Sequence, residues 1–315
     1  MSRKQEQAGT SRRQKDNLRE GMIDYVTESL NENSVDLDLK STVEILRIIN
    51  AEDKKVAFAV EEQIPRIASA VKLLVASLKN NGRAFYIGAG TDGRMGVIDA
   101  AECPPTFGTS PETIQAIMAG GKEAVFRAQE WVEDEGRTGA GALLEKKPAK
   151  GDVLVGLSAD GRQDFVLDAI RVARETGLKI IVLTHNPDSE MEKLADVAIV
   201  PIVGPEVLLG STRMKAGITQ KMVLTMLSTA AMVKLGRTYG NLMVNIKSKN
   251  NKLTERAKRI VRLITGVSYE RAAELLKETE GDIKAAVVMV KKNVANDEAL
   301  GILENAGGDL RRVID

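Results

Sequence analysis

Histidine and cysteine are nearly absent from this sequence, each occurring once, as His185 and Cys103. A lone cysteine excludes an internal disulfide, and with no secretory signal in view it predicts a cytoplasmic protein. Zinc sites built from histidine pairs or Cys/His clusters would lack ligands. We therefore expect chemistry without a metal or another cofactor.

A strong charge imbalance and long apolar runs are missing as well. The formal net charge is +1, from 45 basic and 44 acidic side chains, so neither a nucleic-acid nor a membrane partner is expected. No apolar run approaches the roughly 18 residues of a membrane span. With 43% hydrophobic residues, the chain can bury one full core and a small second domain. A small-molecule ligand fits this composition best.

Short β-branched segments alternate with helix-length segments through the middle of the chain. This alternation predicts an α/β protein with a doubly wound parallel sheet, in which ligands bind beyond the carboxyl ends of the strands. A helix over 53–79, kinked or begun afresh at Pro65, precedes the sheet, and an apolar helix over 214–235 follows it and suggests a symmetric dimer. The strand candidates are 84–88, 153–157, 179–184 and 197–203.

The two ends of the chain differ from this middle part. Residues 1–35 are expected to form a polar, flexible leader, and residues 36–250 the α/β domain. Residues 251–315 are expected to form a small helical domain, in which 265–293 could hold a three-helix unit. Its interspersed charges are typical of solvated helix faces.

Glycine-containing loops follow the predicted strands at 88–93 (loop 1), 156–162 (loop 2) and 210–217 (loop 3). Glycines let a backbone turn and approach a ligand closely, and a following helix directs its first amides at an anion. Together the loops indicate a small polar ligand, with a sugar or a phosphate as candidates. The candidate binding residues are Gly90, Thr91, Asp92 and Gly93 in loop 1, Ser158, Asp160 and Gly161 in loop 2, and Ser211, Thr212 and Lys215 in loop 3.

Two glutamates are candidates for acid and base catalysis. Glu102 lies in Ala-Ala-Glu-Cys-Pro-Pro, where small apolar neighbours would partly desolvate it and favour a proton-donating carboxyl. The alternative is a surface glutamate in a loop. Glu133 lies in the acidic cluster 130–135, and its spacing leaves open whether it faces Glu102.

Three single residues are expected to be structural. Trp131 falls on the predicted core stripe of a helix that begins near Gly121, so packing is favoured over a sugar platform. His185 follows an apolar strand without a nucleophile elbow, which favours a loop or strand-cap role over a catalytic triad. Cys103 is expected to be a buried neighbour of Glu102 rather than a nucleophile.

Distinctive strings occur from about residue 36 to the end of the chain. In them the sequence resembles the bacterial N-acetylmuramic acid 6-phosphate etherases, which have the sugar isomerase fold. The strings are Ser41-Thr-Val-Glu-Ile, Tyr86-Ile-Gly-Ala-Gly-Thr91, Gly93-Arg94, Glu102-Cys-Pro-Pro-Thr-Phe-Gly108, Ala119-Gly-Gly121, Glu133-Asp134, Val203-Gly-Pro-Glu-Val207, Gly210-Ser-Thr-Arg-Met-Lys-Ala-Gly217 and Asn241-Leu-Met-Val244.

The resemblance implies an amino-sugar enzyme of peptidoglycan recycling, with a flavodoxin-like sheet and a homodimeric assembly. It would eliminate D-lactate from C3 of the sugar and then add water. By position, Glu102 matches the acid for the leaving lactate, and Glu133 the second catalytic glutamate, assigned as the base for the C2 proton. Residues 265–293 resemble the ubiquitin-associated-like bundle that ends these etherases.

The sequence departs from the family where the 6-phosphate is expected to bind. Asp92 and Asp160 replace residues that are usually serine, and Gln163 one that is usually threonine. Three interpretations remain open: the aspartates cap helices as serine would, they bind a free hydroxyl of an unphosphorylated lactyl-ether sugar, or the chain is a non-catalytic sugar-sensing regulator. Further departures are Ile218 for threonine, Trp131 for glycine and Asn245 for aspartate.

Overall fold

Five short parallel strands form the centre of the protein, which is described here from a computed structural model covering residues 25–133, 136–246 and 251–315. Their order is β2-β1-β3-β4-β5, the flavodoxin-like order of a doubly wound sheet. The predicted fold class is confirmed. The strands are β1 Ala84–Gly88, β2 Ile114–Met118, β3 Val153–Leu157, β4 Lys179–Leu183 and β5 Val197–Ile199.

Helices follow the strands and cover both faces of the sheet. Those of the first part are α1 Thr42–Glu62, α2 Ile64–Lys79, α3 Gly90–Phe107, α4 Gly121–Phe126, α5 Gly136–Glu145, α6 Asp164–Thr176, α7 Glu190–Lys193 and α8 Lys215–Lys234. Those of the last part are α9 Asn251–Thr265, α10 Tyr269–Glu278, α11 Ile283–Lys292, α12 Asn296–Asn305 and α13 Leu310–Ile314. Among the described residues, no helix is long and apolar enough to cross a membrane.

Strand side chains alternate between two buried layers, as a parallel sheet covered on both faces requires. Ala84 and Tyr86 of β1 pack with α1, α2, α3 and α8. Phe85 and Ile87 point to the opposite face and pack with α6. The predicted helix over 53–79 proves to be two helices, and the second begins afresh around Pro65, which occupies its first turn.

The C-terminal helices bury their own apolar cluster. Ala257, Leu276, Val287 and Leu303 are among its buried members. The predicted small helical bundle is therefore confirmed as part of the fold, while the proposed domain boundary at residue 250 stays a prediction. Val244 and Ile246, which come before this boundary, already pack into the C-terminal cluster.

The predicted leader falls into two parts. Residues 1–24 lie outside the described residues. From residue 25 the chain forms the short 3-10 helices Val26–Glu28, Glu32–Ser34 and Leu37–Leu39, and Thr27 and Asn31 are buried. This second part therefore packs against the α/β domain.

Two glycines of α5 differ sharply in their surroundings. A Cβ at Gly139 would overlap the Phe165 carbonyl oxygen at the start of α6, whereas one at Gly141 would meet nothing within 4 Å. We expect Gly139→Ala to destabilise the protein by about 1–3 kcal/mol through overpacking. Gly141→Ala should stabilise it by about 0.5–1 kcal/mol, because alanine restricts the unfolded chain. Urea unfolding of the two variants tests this, and equal midpoints would contradict it.

Candidate active site

The three glycine loops meet at the carboxyl edge of the sheet. Loop 1 follows β1, and the Asp92 carboxylate accepts a hydrogen bond at 2.9 Å from the Ala159 amide in loop 2. Loop 3 reaches loop 1 from the other side, since a Cβ at Gly217 would lie 3.2 Å from the Thr91 methyl carbon. Gly93 permits the tight turn, because a Cβ there would lie 2.5 Å from the Gly88 carbonyl oxygen. The structure thus brings the three predicted loops together, and we call the surface between them the basin.

Asp92 does not face this basin. Its side chain is only 3% exposed, with Oδ2 bound by the Ala159 amide and Oδ1 by the Gln220 amide nitrogen at 2.7 Å. The N-cap of α3 is Ala89, so the expectation that Asp92 caps the helix is wrong. The carboxylate instead clamps loop 1 to loop 2 and α8 with both of its oxygens, so this structure gives no support to its predicted contact with a sugar.

Burial, and to a smaller extent the charge of Asp160, raise the pKa of Asp92 to about 6, against the lowering effect of its two hydrogen bonds. The carboxyl group therefore titrates close to neutral pH.

Asp160 folds loop 2 rather than capping a helix. Its Oδ1 accepts from the Ser158 hydroxyl at 2.7 Å and from the Arg162 amide at 3.0 Å, which is the geometry of an Asx turn. The Ser158 hydroxyl in turn accepts from the Gly161 amide at 3.1 Å. The N-cap of α6 is Gln163, so the capping expectation is wrong here too. Because the Arg162 guanidinium lies 3.5 Å from Oδ2, it offsets part of the charge.

Loop 3 does not supply the expected anion site at the start of α8. The amides of Lys215 and Ala216 donate to the buried Glu206 carboxylate at 2.9 Å each. The Lys215 ammonium group is fully buried and donates to Glu52 at 2.7 Å and to the Val203 carbonyl at 2.8 Å. Lys215 is therefore not free for a ligand in this structure. Ser211 and Thr212 are half-buried and remain candidates.

The Glu52–Lys215 ion pair forms one wall of a cavity of about 440 Å³. Burial opposes ionisation of Glu52, but hydrogen bonds from Lys215, Lys55 and Asn33 lower its pKa to about 2. The Glu52 carboxylate is thus charged over the physiological range. Sequence reasoning missed Glu52 as the partner, since 163 residues separate the two.

The candidate catalytic glutamates differ in what the structure shows of them. Glu102 lies on α3 and is exposed, so the expected desolvation of its carboxylate is not provided within one chain. Glu133 ends the 3-10 helix Glu130–Glu133, and its side chain lies outside the described part of the structure. Their pairing stays a prediction.

A buried polar cluster under Glu102 was not anticipated. Asp99, one turn earlier on α3 and 4% exposed, accepts from the Tyr86 hydroxyl and from the Ser228 hydroxyl at 3.2 Å each. Cys103 is buried beside it and donates to the Asp99 carbonyl, and burial raises the pKa of this thiol to about 12. The cysteine is thus inert, as expected. An acidic residue on the apolar stripe of α3 was the signal that could have revealed the cluster.

Trp131 and His185 had opposite outcomes. Trp131 is 68% exposed, so the packing prediction is wrong. Helix α4 ends at Phe126, and helical spacing therefore does not extend to Trp131.

His185 follows β4 and is fully buried. Its backbone amide donates to the Ala159 carbonyl at 3.0 Å, and its Nδ1 lies 3.1 Å from the Pro201 carbonyl. Burial lowers its pKa to about 4, so the ring is neutral and its loop role is confirmed.

Comparison with known proteins decides the family. Models described as SIS domain match residues 50–185 and 147–234. The chain is 48% identical over 283 residues to N-acetylmuramic acid 6-phosphate etherase of Clostridioides difficile, which covers 90% of this chain and 93% of that protein. This chain belongs to the N-acetylmuramic acid 6-phosphate etherase family. The etherase of Salinibacter ruber is 47% identical over 293 residues, covering 93% of this chain and 94% of its own.

Among solved structures, phosphoheptose isomerase from Neisseria gonorrhoeae is similar, with a TM-score of 0.48 and 18% identity. The match covers 61% of this chain and 99% of the isomerase.

The raised pKa of Asp92 gives this etherase-family chain a specific pH dependence. The folded pKa is about 6 and the ordinary value 3.8, so the folded state holds the proton more tightly. Stability should therefore fall as pH rises from about 4 to about 6, by at most about 3 kcal/mol. The Asp92→Asn variant should lack this pH-dependent part of the stability. Its introduced amide can donate to Gln220 Oε1, which has no partner among the described atoms.

Urea unfolding of wild type and Asp92→Asn between pH 4 and 8 measures this effect. The matched control is Asp164→Asn, which removes a charge from an exposed carboxylate at the start of α6. Parallel curves for wild type and Asp92→Asn would show that Asp92 does not carry this proton.

Proposed function

We propose that this chain cleaves the D-lactyl ether of N-acetylmuramic acid 6-phosphate, giving N-acetylglucosamine 6-phosphate and D-lactate. The observation that carries the proposal is the near-50% identity, over 90% or more of the chain, to proteins named for this activity. The basin between the three loops supports it, because it lies at the edge of the sheet where doubly wound folds bind ligands.

The reaction needs one base and one acid. Opening of the sugar ring exposes an aldehyde that acidifies the C2 proton, which the base removes. The acid donates a proton to the C3 ether oxygen as lactate leaves, and water then adds to the resulting double bond. Glutamates can perform both proton transfers. In this proposal Glu133 is the base and Glu102 is the acid.

The phosphorylated sugar is the better supported substrate. The free-sugar interpretation required Asp92 and Asp160 to meet the ligand, but Asp92 is buried in its clamp and Asp160 is occupied by loop 2 and Arg162. The substitutions at these positions therefore do not argue against a 6-phosphate.

We further propose that two copies of the chain complete each site. Glu102 lies twelve residues after Gly90 on α3, which places it about 18 Å along the helix axis from loop 1. One sugar cannot bridge that length. A second protomer that packs against α3 would bring its own Glu102 to the basin and supply the missing desolvation.

Exposed apolar side chains indicate the face on which this dimer forms. Val43, Leu46 and Phe58 of α1 are 56%, 60% and 68% exposed, and they occupy about a third of the helix circumference. Ile98 of α3 and Ile218 of α8 add 43% and 39% exposed positions. All three helices lie in the same layer, and such an apolar surface is typical of an interface. The lone reduced cysteine fits a cytoplasmic homodimer.

Glu102→Gln tests the acid role. D-lactate release from N-acetylmuramic acid 6-phosphate should fall about 100- to 10,000-fold, while calorimetric binding of the sugar phosphate stays intact. Glu112→Gln, at another exposed glutamate, should keep wild-type turnover. Faster release from the unphosphorylated sugar would support the free-sugar alternative. Binding without release by wild type from either sugar would support the regulatory one.

Phe58→Asp tests the shared site. The charge should prevent burial of the α1 face, giving monomers in light scattering and loss of lactate release while the fold persists. Leu263→Asp is the control, because Leu263 is also exposed, at 62%, but lies on α9. A monomeric wild type, or a monomeric Phe58→Asp variant with full activity, would contradict the dimer proposal.

A further inference from the structure

Residues 25–34, which the sequence assigns to a flexible leader, cross the ligand edge of the sheet. We call this segment the strap. It contacts loop 2, the turn after β4 and the segment between β5 and α8. These are parts of the chain that border the proposed substrate basin.

The first half of the strap is fixed to loop 2. The Arg162 guanidinium lies 3.9 Å from the centre of the Tyr25 ring, a cation–π contact. Thr27 is buried, and its amide donates to Asn186 Oδ1 at 3.3 Å while its hydroxyl accepts from Asn186 Nδ2 at 2.9 Å. The same Nδ2 lies 3.4 Å from the Ala159 carbonyl oxygen in loop 2. Asn186 therefore joins the strap to the loop that Asp92 also clamps.

The second half of the strap is fixed beside loop 3. Asn31 donates to the Pro205 carbonyl at 3.1 Å, and Ser34 to the Val207 carbonyl at 2.7 Å. Between the two anchored halves lies Glu28, against Gly210. A Cβ on Gly210 would lie 3.2 Å from Glu28 Oε2, so the glycine leaves room for this carboxylate at the rim of loop 3.

Glu28 is unusual among the acidic groups near the basin. Asp92, Asp160 and Glu206 each accept hydrogen bonds from the protein. The half-buried Glu28 side chain makes no hydrogen bond or ion pair within the part of the chain that is described. A half-buried carboxylate held by an ordered segment is partly desolvated, so a donor on a bound ligand can replace the water that it loses. An amino sugar offers hydroxyl groups and an amide N–H, whereas a phosphate would be repelled.

We propose that the strap forms one wall of the substrate site and that Glu28 accepts a hydrogen bond from a hydroxyl or the acetamido N–H of the bound amino sugar. The proposal rests on the proposed function for the identity of the sugar. It assigns Glu28 to recognition of the sugar and leaves the proton transfers to the other two glutamates.

Glu28→Gln tests the proposal, because it preserves shape and removes the charge. We expect kcat/KM for N-acetylmuramic acid 6-phosphate to fall about 10- to 100-fold through loss of a charge-assisted hydrogen bond, mainly as a rise in KM. The melting temperature should not change. Asp38→Asn is the matched control, as an exposed carboxylate a few residues along the same part of the chain. Glu28→Asp, which keeps the charge but withdraws the oxygens, should also raise KM.

Calorimetric titration with N-acetylglucosamine 6-phosphate separates this proposal from the proposed function. If wild type binds this sugar but releases no lactate from N-acetylmuramic acid 6-phosphate, the etherase function fails, and weaker binding by folded Glu28→Gln still supports the strap. Equal kcat/KM and equal affinity for Glu28→Gln and Asp38→Asn would overturn the role of Glu28. A wild type that binds no amino sugar phosphate would overturn both proposals.

Discussion

The buried carboxylate of Asp92 holds the ligand edge of this protein together. It joins the first turn of α3 to loop 2 and to Gln220 of α8, three elements that are distant in sequence. Without it, loop 1 would lose one direct hydrogen bond to loop 2 and one to α8. Its desolvation is costly, which is why the pKa is raised, and the two donors that face it offset part of that cost.

Around loop 3, too, buried charged groups are paired within the protein. Lys215 is neutralised by Glu52, and the free amides at the start of α8 are satisfied by Glu206. A buried ion pair contributes little net stability but strongly penalises any structure that separates its partners. The charges that look like ligand-binding groups in the sequence therefore fix the geometry of the basin, and its free groups are the half-buried side chains at its rim.

The architecture could be predicted because the spacing of apolar residues along strands and helices follows from which side chains are buried. The alternation of β1, β3 and β4 with amphipathic helices was enough to predict a doubly wound sheet. Strand β2 was missed because Ile-Gln-Ala-Ile-Met carries a polar residue, which the edge of the sheet tolerates. Trp131 was misplaced because helical spacing was extended past the true end of α4. The chemistry of the loops was less accessible, since orientation decides whether Asp92 meets a sugar or Gln220, and spacing does not encode orientation.

The length of α3 constrains the site more than any single residue does. A helix rises about 1.5 Å per residue, so loop 1 at its first turn and the proposed acid Glu102 near its last turn cannot meet one small substrate within the same chain. Three features could bring loop 1 and Glu102 to the same substrate: a bend in α3, a long substrate or a second copy of the chain. Pro104 and Pro105 disturb the helix at Ala100 and Ala101, four residues earlier, but a bend about two turns after loop 1 would not bring Glu102 back to it. A monosaccharide is also not long. The exposed apolar side chains of α1 support the proposed second copy of the chain over the other two.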